Sequence, residues 1–289
     1  MTTITLTPTQ DSITMMRRRL LHLRRYPTLT LMLVGMPVLF LALFVYVFGG
    51  TLGDGLGAHT VGRRDYLQFL APAILVMAVA SVATGTAGAV AMDKTGGIMA
   101  RFRTMAIAPS SILTGHVLGA LVQSALAVAV TAAAAMAIGY RPEATPGEWA
   151  AALGVLVLAA FAFTWLTVAF GLASKSVETA TNLPMLLVLL PFLGSGFVPT
   201  ESMPAGLRWF AEHQPFTSLI DSVRGLLAGM APRGAAALTI LASIDYVRDA
   251  NIHEGEFYAL ILFSSVGMIV MAAANDLIVF FLGLETMSV

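Results

Sequence analysis

Residues 188–229 read VLLPFLGSGFVPTESMPAGLRWFAEHQPFTSLIDSVRGLLAG, and this stretch decides the fold. It is too apolar for an ordinary surface loop and too often broken for a simple membrane helix. Pro191, Gly194, Gly196 and Pro199 interrupt what would otherwise be a span, and the amphipathic material that follows is too short to cross a bilayer. Irregular backbone at membrane depth persists only where protein or a water-filled cavity satisfies its polar groups. The stretch therefore predicts an all-α integral membrane bundle with a re-entrant helical hairpin on its extracytoplasmic side.

The rest of the chain agrees with that setting. With 57% hydrophobic residues, 11% charged residues and a mean hydropathy of +0.84, its 289 residues have too few polar side chains to coat a water-soluble globule. Sixteen basic residues balance sixteen acidic ones, so no bulk charge points to a nucleic-acid partner. The absence of cysteine excludes disulfides, thiolate catalysis and thiolate metal sites. About 20 apolar residues cross the hydrocarbon as a helix, and stretches of at least that length run over 26–53, 66–92, 104–140, 149–174 and 179–200. Five spans are expected, and Pro109 marks the expected start of the third helix. Small residues such as Ala80, Gly85, Ala87, Gly88 and Ala89 suit close helix packing or a plain apolar helix equally well.

Residues 1–14 are polar and precede an arginine cluster, which is not the pattern of a cleavable signal. Ile13, Met16, Leu20 and Leu23 share one side of a helix, away from Arg17, Arg18 and Arg25, as in a helix lying in the membrane interface; a simple basic anchor fits as well. With a cytoplasmic N-terminus, Arg17, Arg18, Arg19, Arg24, Arg25, Lys94, Arg101, Arg103 and Lys175 lie inside, against Arg63, Arg64, Arg141, Arg208, Arg224 and Arg233 outside.

Catalytic motifs fail on inspection. Asp93-Lys94-Thr95-Gly96-Gly97 resembles the phosphorylated aspartate motif of P-type ATPases, but Gly97 stands in place of its threonine and there is no room for the nucleotide-binding portion. No phosphate-cradling G-x-x-x-x-G-K-[ST] loop occurs, so any ATP that drives the chain is bound by another polypeptide. His22, His59, His116, His213 and His253 lack ligand-like spacing, and His116 within a span is expected to be an interhelical polar group. Neither a catalytic residue nor a metal or cofactor site is expected. In the loop 93–108, Ile98, Phe102 and Met105 form an apolar ridge beside Arg101 and Arg103, suited to a groove on a partner protein or to the lipid surface.

The broken stretch is similar to ABC-2 type transporter permeases, especially daunorubicin-resistance-like exporters. The family's Gly-Phe-Val-Pro turn is matched by Gly196, Phe197 and Pro199, and its Glu-Ser-Met-Pro step by Glu201 and Pro204. Its helix tryptophan is matched by Trp209, its Gln-Pro step by Pro215 and its closing Arg-Gly-Leu by Arg224. The segments 17–50 and 66–77 resemble the same family. The resemblance implies a six-span subunit in the cell membrane that pairs with a second copy or a sister chain and with cytoplasmic ATPase subunits carrying ATP and magnesium. The exported substrate would be drug-like or lipid-like. It also implies that Lys94, Ile98, Arg101, Phe102, Arg103 and Met105 belong to the segment coupling permease to ATPase, although Gly96-Gly97 replaces residues that are often charged in relatives.

Beyond about residue 235 the likeness changes. Residues 234–244 are too few to cross, and 254–289 resemble a fragment of subunit N of the proton-pumping NADH–quinone oxidoreductase, with Glu285 at a proton-path glutamate. That resemblance supports an alternative, a fragment of a proton-translocating respiratory subunit; a non-transporting scaffold is a third. The expected division is an interfacial segment at 1–27, a permease domain at 28–235 and a foreign C-terminal segment at 236–289, joined by fusion or frameshift and lending residues 257–274 as a sixth span.

Overall fold

Prolines open five of the helices, each at a first turn whose missing N–H costs no hydrogen bond. In the computed structural model, which describes residues 8–25, 27–50, 63–98 and 109–229, α1 covers Pro8–Arg25 and α2 covers Pro27–Leu43. A π-helical turn over Phe44–Phe48 continues α2. Then come α3 (Arg63–Thr95), α4 (Pro109–Ile138) and α5 (Pro146–Ala173). Two short helices follow, α6 (Val177–Asn182) and α7 (Met185–Leu189), the second running into a 3-10 turn at Leu190–Leu193. After a further 3-10 turn at Thr200–Ser202, α8 (Ala205–His213) and α9 (Pro215–Leu227) form a hairpin hinged at Gln214.

Local signals explain the boundaries. Thr145 and Glu148 form a reciprocal cap on α5: the Thr145 N–H donates to Glu148 Oε2 at 2.7 Å, and the Glu148 N–H donates to Thr145 Oγ1 at 3.4 Å. At the end of α3 the chain turns at Gly97, whose φ of +70° is the left-handed conformation that favours glycine. Gly96-Gly97 is thus a helix stop.

Among the described residues, four helices are long and apolar enough to cross a membrane: Leu31–Phe48, Arg63–Thr95, Ser111–Ile138 and Pro146–Ala173. The expected fifth span at 179–200 is instead a chain of short pieces. Pro184 separates α6 from α7, and Pro191 lies in the 3-10 turn that leads into the Gly194–Gly196 turn, because proline lacks the N–H an unbroken helix needs there. The expected sixth span at 257–274 lies outside the described residues.

The centre of the bundle is α3, with 78% of its apolar window buried against 22% for Leu31–Phe48. Its small residues permit that position. A Cβ on Gly171 of α5 would come within 2.7 Å of the Ala87 carbonyl oxygen, so these two backbones touch directly. One core joins Val76 and Val79 of α3, Leu156 and Phe163 of α5, and Phe216, Ile220 and Val223 of α9.

On α1, Ile13 is 57% exposed and Met16 and Leu20 are half-buried, while Ser12 and Met15 are buried. The buried side docks on α4, where Gly115 and Gly119 lie directly under Met15 and Arg19.

Candidate gate and coupling face

Two polar clusters organise the bundle, one at each end. The hairpin of the first cluster reaches inward: Phe216 at the start of α9 stacks on Phe163 with ring centroids 5.0 Å apart. Phe163 lies about 25 Å along α5 from Pro146 at the helical rise. The other end of α9 reaches Gly229, beside Glu143 in the loop that precedes α5. The start of α9 therefore lies beside the middle of α5 and its end beside the loop that precedes α5.

Arg224 holds it there. Its Nη2 donates to the Ser195 carbonyl at 2.7 Å and its Nε to the Phe69 carbonyl at 3.2 Å. Its Nη1 pairs with Asp221, and the guanidinium lies 4.0 Å from the centroid of the Phe69 ring. Ser195 Oγ donates to Asp221 Oδ1 at 2.8 Å, and the Ser195 N–H donates to Thr217 Oγ1 at 3.3 Å. One guanidinium thus joins α3, α9 and the broken segment. Gly196 has no room for a side chain, since a Cβ would sit 2.7 Å from the Pro191 carbonyl oxygen and 3.1 Å from Ala73.

Phe197 stacks on Phe192 at 4.2 Å and meets Phe44 at 4.6 Å, and the Tyr66 hydroxyl donates to its carbonyl at 3.3 Å. Phe44 opens the π-helical turn, a distortion that recurs at functional sites. Of the expected hairpin residues, Gly196, Phe197, Pro215 and Arg224 converge around the broken segment. Glu201, Pro204 and Trp209 lie on its exposed approach with Pro199 partly covered, and Trp209 is 63% exposed.

At the α1 end, Arg18 donates to both oxygens of Asp93 at 3.2 and 3.3 Å, and His116 Nε2 lies 3.1 Å from Asp93 Oδ2. This cluster ties α1 to α3 and α4. Sequence reasoning treated Asp93 within an unrelated motif and missed the cluster; the available signal was one acidic residue at a span end, within reach of basic helix-flanking residues. Asp221 was missed too, although its i,i+3 spacing to Arg224 was a signal.

Lys94, at the end of α3, reaches across to α5. Its Nζ donates to the Leu172 carbonyl and, at 3.0 Å, to the Ser174 carbonyl, so it caps the C-terminus of α5. Ile98 lines a cavity beside α1. Arg101, Phe102, Arg103, Met105 and Glu285 lie outside the described residues. Replacing Lys94 with Met should lower thermal stability by about 1 kcal/mol, a melting decrease of about 3 °C, with Lys94→Arg largely retaining it. Fluorescence-detected size exclusion after heating checks this.

The ABC-2 type transporter family matches residues 10–228, which include both clusters and all four spans. The chain belongs to the ABC-2 type transporter family. As a multi-pass ABC-2 permease it is similar to the daunorubicin resistance ABC transporter permease protein DrrB1 of Streptomyces coeruleorubidus, with 26% identity over 242 residues, 83% of each chain. Its C-terminal region is similar to NADH-quinone oxidoreductase subunit N of Heliobacterium modesticaldum, 49% identical over 55 residues. The same subunit of Trichlorobacter lovleyi is 51% identical over 55 residues. Those two alignments cover 19% of this chain and only 12% and 11% of the relatives. No solved structure matches the ABC-2 permease.

Proposed function

We propose that the chain is the permease subunit of an ATP-driven exporter that moves a drug-like or lipid-like substrate outward across the cell membrane. The observation that carries this reading is the likeness to a daunorubicin resistance permease along 83% of the chain. The N-terminus and the α1 end are cytoplasmic, which places most of the flanking arginines inside. The hairpin then enters from the outer side, and the broken segment with Arg224 forms the gate beneath it. A second copy completes the pathway, and two ATPase subunits bind ATP and magnesium.

The segment 94–105 receives the ATPase, with Phe102 as its apolar contact between Arg101 and Arg103. ATP binding supplies the free-energy difference between inward- and outward-facing states, and the permease supplies the two-state element. Residues 1–27, 28–235 and 236–289 divide into interfacial segment, permease and an appended segment whose Glu285 is a remnant of a proton path.

Co-expression with a candidate ABC ATPase subunit provides the test. The wild-type chain should retain the ATPase in pull-downs, and Phe102→Asp should reduce retention by about tenfold, as a charge buried in a contact does. Equal retention by the variant sinks the coupling assignment. The alternative, favoured by the subunit N likeness alone, requires co-migration with a large NADH-oxidising complex, lost on removing the residues after 237.

A further inference from the structure

A cavity of about 580 Å³ lies between α1, the last turns of α3 and the first turns of α4. Its wall combines Arg18, Arg19, Arg25, Asp93 and His116 with apolar side chains such as Met15, Met92 and Ile112. Three guanidiniums against one carboxylate leave the lining net positive even after Arg18 has paired with Asp93. This polarity beside methyl-bearing walls fits a ligand with an anionic head and an apolar body.

Two groups in the wall are unsatisfied among the described residues. Arg19 Nε is buried without a hydrogen-bond partner, and so is His116 Nδ1 on a side chain whose residue is only 6% exposed. Burial pulls the Arg19 guanidinium below its ordinary pKa, opposed by the charge of Asp93 and reinforced by that of Arg18. A buried cation of this kind gains from a second anion. Arg19 is held in place because Gly119 lies under its stem, where a Cβ would come within 2.6 Å of Arg19 Cγ. The volume is within the range of about 300–1,000 Å³ typical of small-molecule sites, enough for a phosphodiester headgroup and the first methylenes of its chains.

We propose that this cavity binds the phosphate headgroup of an anionic membrane lipid, with Arg19 and Arg25 on the phosphate and His116 Nδ1 on a headgroup hydroxyl. A membrane lipid is favoured over a soluble phosphate because the wall is mixed and because α1 turns Ile13 and Leu21 outward beside it, at the depth where lipid heads and chains meet. The bound lipid fastens α1 to α3 and α4 alongside the Arg18–Asp93 pair. This goes beyond the exporter reading and needs neither ATPase nor transport.

Native mass spectrometry and thermal shift on the purified full chain test it with phosphatidylglycerol, phosphatidylcholine and inorganic phosphate. Phosphatidylglycerol should bind and raise the melting temperature, phosphatidylcholine should not, and Arg19→Gln should weaken phosphatidylglycerol binding by about tenfold or more. Arg17, exposed on the same helix and outside the cavity wall, is the control: Arg17→Gln should bind as wild type does. Equal losses in Arg17→Gln and Arg19→Gln would reduce the effect to surface charge and overturn the site. An equal thermal shift from inorganic phosphate overturns the lipid assignment. Arg19→Lys, which keeps the charge, guards against a folding defect: if it too loses binding while melting like wild type in phosphatidylcholine, the planar guanidinium is the group required.

Discussion

Arg224→Ala should be the most damaging single substitution in the hairpin, costing about 3 kcal/mol and lowering the melting temperature by about 10 °C. The guanidinium serves carbonyls of Ser195 and Phe69, the carboxylate of Asp221 and the face of Phe69. Its removal takes a donor from two carbonyls and leaves one carboxylate without its cation, in a site partly closed to water. Arg224→Lys should rescue little, because an ammonium cannot reach three elements in one plane. Asp221→Asn added to Arg224→Ala should restore part of the stability by removing the stranded charge. Heating detergent-extracted protein and following the monodisperse fraction measures all three; an Arg224→Ala variant that melts within 2 °C of wild type, against the expected shift of about 10 °C, would refute this account of the gate.

Gly115→Leu should release α1 from the bundle. A Cβ at this position would lie 2.4 Å from Met15 Cβ, 3.1 Å from the Met15 carbonyl carbon and 3.2 Å from the Met16 nitrogen. Two of those three atoms are backbone, so no rotamer change relieves the clash. Because the chain contains no cysteine, a Ser12→Cys reporter on the buried face of α1 reads the outcome directly. Its maleimide labelling should accelerate about tenfold or more in Gly115→Leu as the helix opens locally. Gly154→Leu, where a Cβ meets nothing within 4 Å, should leave labelling unchanged. Slow labelling in Gly115→Leu would show that α1 is held by other contacts.

Much of the architecture is legible in sequence because lipid makes length and composition decisive. Apolar runs located the helices that became α2, α3, α4 and α5, and Pro109 and the Gln214-Pro215 step set boundaries where they fall. The breaks in the stretch 179–200 were legible at Pro191, Gly194 and Gly196, whereas the further break at Pro184 was not singled out. The side-chain clusters were harder to see. Arg18 and Asp93 are 75 residues apart, and whether they meet depends on how far each helix is rotated about its axis. Net apolarity leaves that rotation open. Lys94 shows the same limit, since a basic residue after a span suits an outward surface as well as the carbonyls of the next helix. Arg224 was named only through the family's closing Arg-Gly-Leu pattern, and its partners on α3 and the broken segment were not legible in that match.

The cap that Lys94 places on α5 has a mechanical meaning. The residue ends α3, yet its hydrogen bonds end at Leu172 and Ser174, and the two helices already touch backbone to backbone at Gly171 and Ala87. Bolted at one end and meshed along their length, they act as a single push-rod. Phe163, about 15 Å along α5 from Ala173, meets Phe216 at the start of α9, so the bolted pair also carries the foot of the hairpin and the three helices form one body.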